Sequence, residues 1–397
     1  MRRVGPVMST PFFRRAGAAV LGAFLAVGGT ALTAPAAAAP PERVAVIVTL
    51  APGSDAAAEA RRAAGSGGSV AHVYRDVFRG FAATLPTSAV AALQRNPRVV
   101  TVEADGPVRT AASQTSATWG LDRIDQRTRT LNRTYNYPAT GSGVRAYVVD
   151  SGVAVHDEFD QRADGYDVFG APGNGWTDCN GHGTHVAGTV AGNLYGAAKG
   201  ATVVPVRVLD CAGSGSLSGV IAGLDWIVKD HVSGPAVANL SLGGGRNSTL
   251  DSAVGKVISD GVTVAVAAGN SNIDACNTSP ARVSGALTTG ATDSTDRRAS
   301  FSNYGSCLDL FAPGVAITSA WSAPGSTAAT STISGTSMAS PHVAGAAAVL
   351  LEQRPTLSPS AVATELVRAS TKKVVSSKGS SSPNRLLAVV AYGGTLP

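Results

Sequence analysis

The sequence predicts an α/β protein in which a small α+β domain precedes a parallel sheet flanked by helices. From Trp119 onward, short β-branched runs alternate with helix-like runs, which is typical of a parallel sheet covered by helices. Residues 42–108 instead show the order β-α-β-β-α-β, the ferredoxin-like split motif. The 397 residues are 44% hydrophobic and 15% charged, which excludes a disordered chain, and the 46 glycines have no fixed period, which excludes a collagen-like chain.

Residues 1–39 have the pattern of a secretory signal peptide. Four arginines among the first fifteen residues precede an uncharged run, Ala16–Leu32, and the small-residue stretch Ala36–Ala39 follows it. A membrane anchor is the alternative, but the run is short and rich in Gly and Ala. The pair Arg14 and Arg15 also allows a twin-arginine signal, which the flanking residues support only weakly. We therefore expect a secreted protein without stable membrane association.

The positive charge of the chain belongs to its N-terminal segment. Residues 1–111 contain twelve arginines, no lysine and six acidic residues, whereas the remainder has twenty basic and twenty acidic residues. A neutral body in which only 5% of residues are aromatic lacks the basic surface that nucleic acids require. We expect no nucleic-acid partner.

Residues 40–111 are predicted to form the small domain, with its core at residues 42–108. Its helices are stopped by Gly65 and by Asn96-Pro97. Residues 106–118 are rich in Gly, Pro, Ser, Thr and Ala, which is typical of a linker and suits a processing site. The expected strands are Arg43–Val48, Val70–Val77, Gly80–Leu85 and Val99–Val102, and the expected helices are Asp55–Ala64 and Ser88–Gln94.

Residues 112–397 are predicted to form the large α/β domain. The helices expected there are Thr184–Asn193, Leu217–Asp230, Leu250–Ser259, Ser340–Glu352 and Pro359–Ser370. The expected strands are Val144–Val149, Val203–Leu209, Val237–Leu242, Val262–Ala267 and Ala286–Ala291.

Four cysteines, Cys179, Cys211, Cys276 and Cys307, are compatible with disulfides in an exported protein. Three pairings are open, and the sequential pairing is the simplest because each bond closes a short loop. A metal site is the alternative, since Cys179, His182 and His185 have ligand-like spacing. That alternative leaves two thiols unexplained, and no second cluster is close in sequence.

Three glycine-rich segments carry candidate chemistry. Asp150 ends an apolar strand, where ligands of open α/β sheets bind, although an aspartate there also caps turns. His182 lies between two glycines at the start of a helix, and His185, one turn later, suits a structural role. In the third segment Ser337 has an exposed position at a helix start, and its own N–H can meet an oxyanion. The competing candidates in that segment are Ser334, Ser340 and His342.

Together, the three segments supply an acid, a base and a nucleophile. A serine nucleophile needs a base for its proton, and the base needs an acid that holds its tautomer. Asp150, His182 and Ser337 occur in the order Asp, His, Ser, which differs from the order in lipases. Asn270 follows an apolar strand and has an amide that can donate to a developing oxyanion, although turns also favour asparagine.

These motifs resemble those of the subtilases, the subtilisin-like serine proteases, and within them the proteinase K-like branch. The segments DSG at Asp150, HGTHVAG at His182 and GTSMASPH at Ser337 match the family signatures. The match spans nearly all of residues 119–392, and residues 42–108 resemble the inhibitory I9-type propeptide. The resemblance implies a subtilisin-like fold and a serine endopeptidase of broad specificity, made as a zymogen that cleaves itself between about residues 109 and 113 and acts as a monomer.

The resemblance also implies roles for individual residues. Asp150, His182 and Ser337 would form the catalytic triad, and Asn270 would form the oxyanion hole with the Ser337 amide. Extended polypeptide substrates would bind between two edges, and the chain's own propeptide would act as an intramolecular inhibitor. The substrate-binding residues on the two edges would be Gly213, Ser214, Gly215, Ser241, Leu242 and Gly243.

Family members need no cofactor for catalysis, but they usually bind structural calcium. The resemblance places one site at the carbonyls of Ser284 and Ala286 and the carboxylate of Asp309, although many members have proline where this chain has Ser284. A simple ion pair is the alternative role for Asp309. The resemblance also supports the disulfides 179–211 and 276–307.

Two other functions remain open at the level of sequence. An inactive subtilase could serve as a binding protein, but the three signatures are intact here. An esterase could use the same three residues on small acyl esters. Turnover of a protein substrate distinguishes the endopeptidase from both.

Overall fold

The structure is a computed structural model that describes residues 43–105, 112–171 and 173–389. The expected signal peptide at residues 1–39 lies outside the described residues, as does the linker segment 106–111. The chain divides into two compact units, Met1–Asp105 and Gly106–Pro397.

The first unit is a four-stranded antiparallel sheet with two helices. The sheet order β2-β3-β1-β4 is that of a ferredoxin-like domain, as predicted. Asp55 caps the first helix by accepting bonds from the amides of Ala57 and Ala58. Val48, Phe81 and other apolar side chains form its core. The elements are β1 (Arg43–Leu50), α1 (Ala56–Gly65), β2 (Ser69–Tyr74), β3 (Gly80–Pro86), α2 (Thr87–Gln94) and β4 (Val99–Ala104).

The second unit contains a nine-stranded sheet that is parallel except at one edge. Its order is β18-β19-β15-β14-β12-β10-β7-β9-β8, and only β18 and β19 pair antiparallel. The helices are α3 (Trp119–Ile124), α4 (His182–Ala191), α5 (Leu217–Asp230), α6 (Ser248–Ser259), α7 (Thr336–Gln353) and α8 (Pro359–Ala369), with a 3₁₀ turn at Ala275–Asn277. The strands are β5 (Ala112–Thr115), β6 (Thr134–Tyr137), β7 (Arg145–Asp150), β8 (Tyr166–Asp167), β9 (Thr202–Arg207), β10 (Ala236–Leu240), β11 (Gly244–Gly245), β12 (Thr263–Ala267), β13 (Thr278–Ser279), β14 (Leu287–Thr292), β15 (Leu310–Pro313), β16 (Ile317–Ala320), β17 (Thr330–Ile333), β18 (Thr371–Lys372) and β19 (Arg385–Leu386).

Both faces of the sheet are buried under helices. On β7, Ala146 and Val148 contribute to a core shared with α4, α7 and α8. The alternate residues Tyr147 and Val149 contribute to a second core shared with α5 and α6. Because successive side chains of a strand point to opposite faces, one apolar strand contributes to both cores. The predicted fold class, a parallel sheet between helices, is confirmed.

The longest helix begins earlier than predicted. The predicted helix is Ser340–Glu352, but α7 begins at Thr336. The proline removes one helical hydrogen bond without ending the helix, since the carbonyl that it leaves unbonded has another donor, described below. The early start places Ser337 in the first turn.

Three neighbouring strands end at the same edge of the sheet. The order β12-β10-β7 brings together the carboxyl ends of these parallel strands. Asp150 is the last residue of β7, Ser241 follows β10, and the segment 268–270 follows β12. Ligands of open α/β sheets bind at this edge.

Two disulfides join the cysteines in the sequential pairing. Cys179 is bonded to Cys211 with a Cα–Cα distance of 4.9 Å, and Cys276 is bonded to Cys307 with a distance of 5.3 Å. No thiol is therefore left at Cys179 for the metal site considered as the alternative.

Among the described residues, no helix is both long and apolar enough to cross a membrane.

Candidate active site

Asp150 and His182 form a hydrogen-bonded pair at the carboxyl edge of the sheet. The distance from His182 Nδ1 to Asp150 Oδ1 is 2.7 Å. Asp150 is fully buried, whereas about a quarter of the His182 side chain is exposed. The Ser151 amide donates to the same carboxylate oxygen at 2.8 Å. This pairing leaves the other ring nitrogen of His182, Nε2, as the atom that can accept a proton.

The electrostatic surroundings of His182 favour its charged form. Burial opposes protonation of the imidazole, but the charge and hydrogen bond of Asp150, with the charge of Asp178, outweigh burial and raise the pKa of His182. The other two histidines of the motifs behave differently. Burial lowers the pKa of His185 and that of His342 to about 4 each. They bond to the carbonyls of Ile317 and Met338, so both are neutral structural residues.

Ser337 lies in the first turn of α7 and is half-buried. Its hydroxyl donates to the Ser241 carbonyl at 3.2 Å, and among the described hydrogen bonds none joins it to His182. Active-site hydrogen bonds often tighten only when substrate binds. The competing serines are engaged elsewhere, because Ser334 accepts a bond from the Ala316 amide and Ser340 donates into the sheet.

Asn270 has an amide whose orientation is fixed. Its Oδ1 accepts bonds from the amide and the hydroxyl of Thr336, both at 2.8 Å. The Nδ2 group is therefore turned away from Thr336. The preceding Gly269 has φ 101°, and a Cβ there would lie 2.4 Å from Nδ2 of Asn303. That Nδ2 group donates to the Ala268 carbonyl and so holds the loop in place. Only glycine fits that position.

The six predicted substrate-binding residues lie around one cavity. The cavity has a volume of about 750 Å³ and also borders His182. The lining includes the buried apolar residues Leu209, Val220 and Leu250. The predicted residues in the lining are Gly213, Ser214, Gly215, Ser241, Leu242 and Gly243.

Sequence reasoning missed Asp178, which organises the loop before His182. This buried carboxylate accepts bonds from the Ser151 hydroxyl at 3.0 Å, the Gly181 amide at 2.8 Å and the Thr184 amide at 2.9 Å. It thus ties the residue after Asp150 to the first turn of α4. An acidic residue shortly before a helix start is a capping signal that could have revealed it.

The predicted calcium residues lie in the segments that lead into two neighbouring strands. Ser284 and Ala286 precede β14, and Asp309 precedes β15, which pairs with β14. Burial raises the pKa of Asp309 to about 6, although the Thr288 amide donates to it at 2.8 Å. Two carbonyls and a carboxylate are hard oxygen donors of the kind that calcium prefers. Among the described residues, no group of three or more His, Cys, Asp and Glu side chains could hold a metal ion.

Comparison with known families identifies the class of protein. Residues 131–387 match the subtilase family, and residues 46–111 match the peptidase inhibitor I9 family. The chain belongs to the subtilase family. It is therefore a subtilisin-like serine endopeptidase that carries an I9 propeptide domain.

Individual relatives are similar over most of the chain. An extracellular serine proteinase of Thermus sp. (strain Rt41A) is 59% identical over 333 residues, which cover 83% of this chain and 80% of the relative. Alkaline serine exoprotease A of Vibrio alginolyticus is 52% identical over 80% of this chain and 60% of the relative. The crystal structure of a cold-adapted subtilisin-like serine proteinase superposes with a TM-score of 0.67 and 52% identity. It covers 70% of this chain and 100% of its own.

Proposed function

We propose that this protein is a secreted serine endopeptidase of broad specificity that acts through Asp150, His182 and Ser337. The observation that carries the proposal is the 2.7 Å bond between a buried carboxylate and a partly exposed imidazole, at the sheet edge where Ser337 begins a helix. The membership of the family supports the same roles.

In this mechanism His182 is the general base. The Ser337 hydroxyl turns from the Ser241 carbonyl toward Nε2 of His182, loses its proton to that nitrogen and attacks the scissile carbonyl. Asp150 keeps the proton of the ring on Nδ1 and stabilises the imidazolium that forms. His182 then donates its proton to the leaving amine, and water hydrolyses the acyl-enzyme by the same steps in reverse order.

The negative oxygen of the tetrahedral intermediate needs donors that are already oriented. Asn270 supplies one through Nδ2, because Thr336 holds its Oδ1 on the other side. The Ser337 N–H supplies the second, since the first amides of a helix have no acceptor within the helix.

The substrate is an extended polypeptide that pairs with exposed backbone on two sides. The edge 213–215 and the segment 241–243 border the same cavity as His182, so a strand between them reaches the general base. Backbone pairing is insensitive to sequence, and the apolar residues of the cavity lining suit apolar side chains. Both features favour broad specificity.

The protein is made as a precursor that processes itself. We propose a signal peptide at 1–39, an inhibitory propeptide at 40–111 and a catalytic domain at 112–397 that acts as a monomer outside the cell. The inhibitor I9 match ends at residue 111, and a similar protein from Thermus is named extracellular. We expect self-cleavage between about residues 109 and 113, with neither nucleic acid nor membrane as a lasting partner.

Structural calcium would be held by the carbonyls of Ser284 and Ala286 and the Asp309 carboxylate. Such an ion would supply structural stability by cross-linking the ends of β14 and β15. Catalysis by Ser337 needs no cofactor.

The test compares purified wild-type protein with Ser337→Ala and His182→Ala on an unfolded protein substrate. We expect each variant to lose more than about 10³-fold in turnover, because the nucleophile and its base act as a unit. Retention of wild-type turnover by Ser337→Ala would reject the assignment. The Ser337→Ala precursor should also stay uncut, whereas its cleavage would show that another protease processes it.

A further inference from the structure

Asn239 is a polar residue in the middle of an otherwise apolar buried strand. It belongs to β10, whose sequence AVANL is buried throughout, and its own exposure is 1%. A side-chain amide in such a place costs free energy unless its donors and acceptor are bonded. The strand is predicted from its apolar pattern, and Asn239 is the residue that breaks the pattern.

Both ends of the Asn239 amide bond to buried serines. The Ser340 hydroxyl donates to Oδ1 at 2.7 Å, and Nδ2 donates to the Ser241 hydroxyl at 2.8 Å. Ser340 is fully buried and Ser241 is 4% exposed. Asn239 therefore connects the strand that ends beside the site with the helix that carries Ser337.

The connection continues to the backbone of Ser337. Pro341 has no N–H, so the Ser337 carbonyl four residues earlier lacks its helical donor. The Ser241 hydroxyl donates to that carbonyl at 2.8 Å. In return, the Ser337 hydroxyl donates to the Ser241 carbonyl at 3.2 Å.

These bonds form a relay from Ser340 through Asn239 and Ser241 to Ser337, in which each residue donates to the next. Ser340 donates to Asn239, Asn239 donates to Ser241, and Ser241 donates to Ser337. Hydrogen bonds in such a chain polarise one another, and a fully satisfied buried chain is rigid. The relay fixes the first turn of α7 against β10 at the residue that must meet the scissile carbonyl.

We propose that Asn239 is a positioning residue for Ser337, which it holds through Ser241 and the carbonyl that Pro341 leaves without a helical donor. This inference rests on the proposed function, in which Ser337 is the nucleophile. Asn239 touches neither substrate nor the reacting atoms. Its contribution is to the rate of acylation rather than to substrate affinity, because a displacement of about 1 Å at a reacting group can cost about 10²-fold in rate.

The experiment measures the rate at which a sulfonyl fluoride sulfonylates mature Asn239→Leu, Asn239→Ala and Ser340→Ala enzymes, with kcat, KM and thermal unfolding on the same samples. Leucine keeps the branched shape of asparagine and its number of side-chain heavy atoms but forms neither bond. We expect Asn239→Leu to react about 10–100-fold more slowly than wild type, with KM within about twofold. Ser340→Ala removes only the bond from Ser340 to Asn239, so its rate of reaction should fall less.

The matched control is Asn384→Ala. Asn384 also bonds a backbone amide and a carbonyl, those of Val375, but lies by the strand pair β18–β19 at the far edge of the sheet. The variant Asn384→Ala therefore shows how the loss of a bonded asparagine changes stability without a change near Ser337. Sulfonylation of Asn239→Leu as fast as that of the control overturns the proposal, as does a loss that appears only in KM. An unreactive wild-type enzyme would instead refute the proposed function, and the role of Asn239 with it.

Discussion

Protonation of His182 sets the lower pH limit of activity in this mechanism. Asp150 raises the pKa of His182 against the effect of burial, and the base must be neutral to accept the Ser337 proton. As pH falls through this raised pKa, His182 gains a proton and activity is lost. The acidic limb of kcat/KM should therefore lie above 6.5, the ordinary value for histidine.

The variant Asp150→Asn tests this cause. It removes the charge that favours the imidazolium, so the acidic limb should move to lower pH while kcat falls by orders of magnitude. Profiles of kcat/KM against pH for both enzymes check it. A midpoint that is the same in the two enzymes would contradict the electrostatic role of Asp150.

Asn270 offers a second prediction at the scale of one residue. Asn270→Asp keeps an oxygen that can accept from Thr336, but it removes the Nδ2 donor. We expect kcat to fall by about 10²–10³-fold with little change in KM, because the donor acts on charge that develops in the transition state. Steady-state kinetics on a peptide substrate measure it, and a change confined to KM would exclude the oxyanion role.

At the scale of elements, the sequence predicts the strands and helices that have a periodic apolar pattern and misses those that depend on tertiary contacts or are very short. The alternating strands and helices of the sheet follow from apolar periodicity, and Leu217–Asp230 is predicted with its observed bounds. The first turn of α7 is missed because a start beside Pro341 suits the preference of proline for the first turn of a helix. In the structure a tertiary bond from Ser241 satisfies the Ser337 carbonyl that the proline leaves unbonded, so the helix extends further back. The short hairpin β16–β17 is missed too, since its strands of four residues have no long apolar run.

In the candidate site, too, the sequence predicts the residues in local motifs and misses those that act through tertiary contacts. Asp150, His182 and Ser337 are predicted because they stand in glycine-rich motifs of recognisable chemistry. Asp178 and Asn239 act through contacts with residues far away in sequence, such as Ser151 and Ser340. A capping signal points to Asp178, but no local pattern records these long-range contacts, so only the fold reveals them.

The disulfide Cys179–Cys211 belongs to the element scale, because it joins two loops of the site. It connects the segment before α4 with the edge 213–215, and the Asn180 side chain adds a bond to the Cys211 carbonyl at 3.0 Å. Replacement of both cysteines by serine should lower the free energy of unfolding by about 3 kcal/mol. Denaturant unfolding of the inactive Ser337→Ala protein, which avoids self-digestion, measures the change.

The matched control for this prediction is the double replacement of Cys276 and Cys307, which closes a loop of nearly equal length, 31 against 32 residues. Loop length alone predicts equal losses of stability. Only the first pair joins the loop before His182 to the substrate edge. In a background with intact Ser337, we therefore expect loss of the first pair to raise KM more than loss of the second, and equal KM values would contradict the role given to the first bond.

For the whole molecule, the central claim is that the chain assembles an activated serine and uses it to release its own catalytic domain. The most direct measurement is intact-mass spectrometry of the purified secreted protein, with and without a sulfonyl fluoride. We expect one covalent adduct, on Ser337, of a product that begins near residue 112. The unmodified product should have a mass four units below that of its reduced form because of the two disulfides. A mature chain that remains unmodified would contradict it, because the triad would then not be assembled.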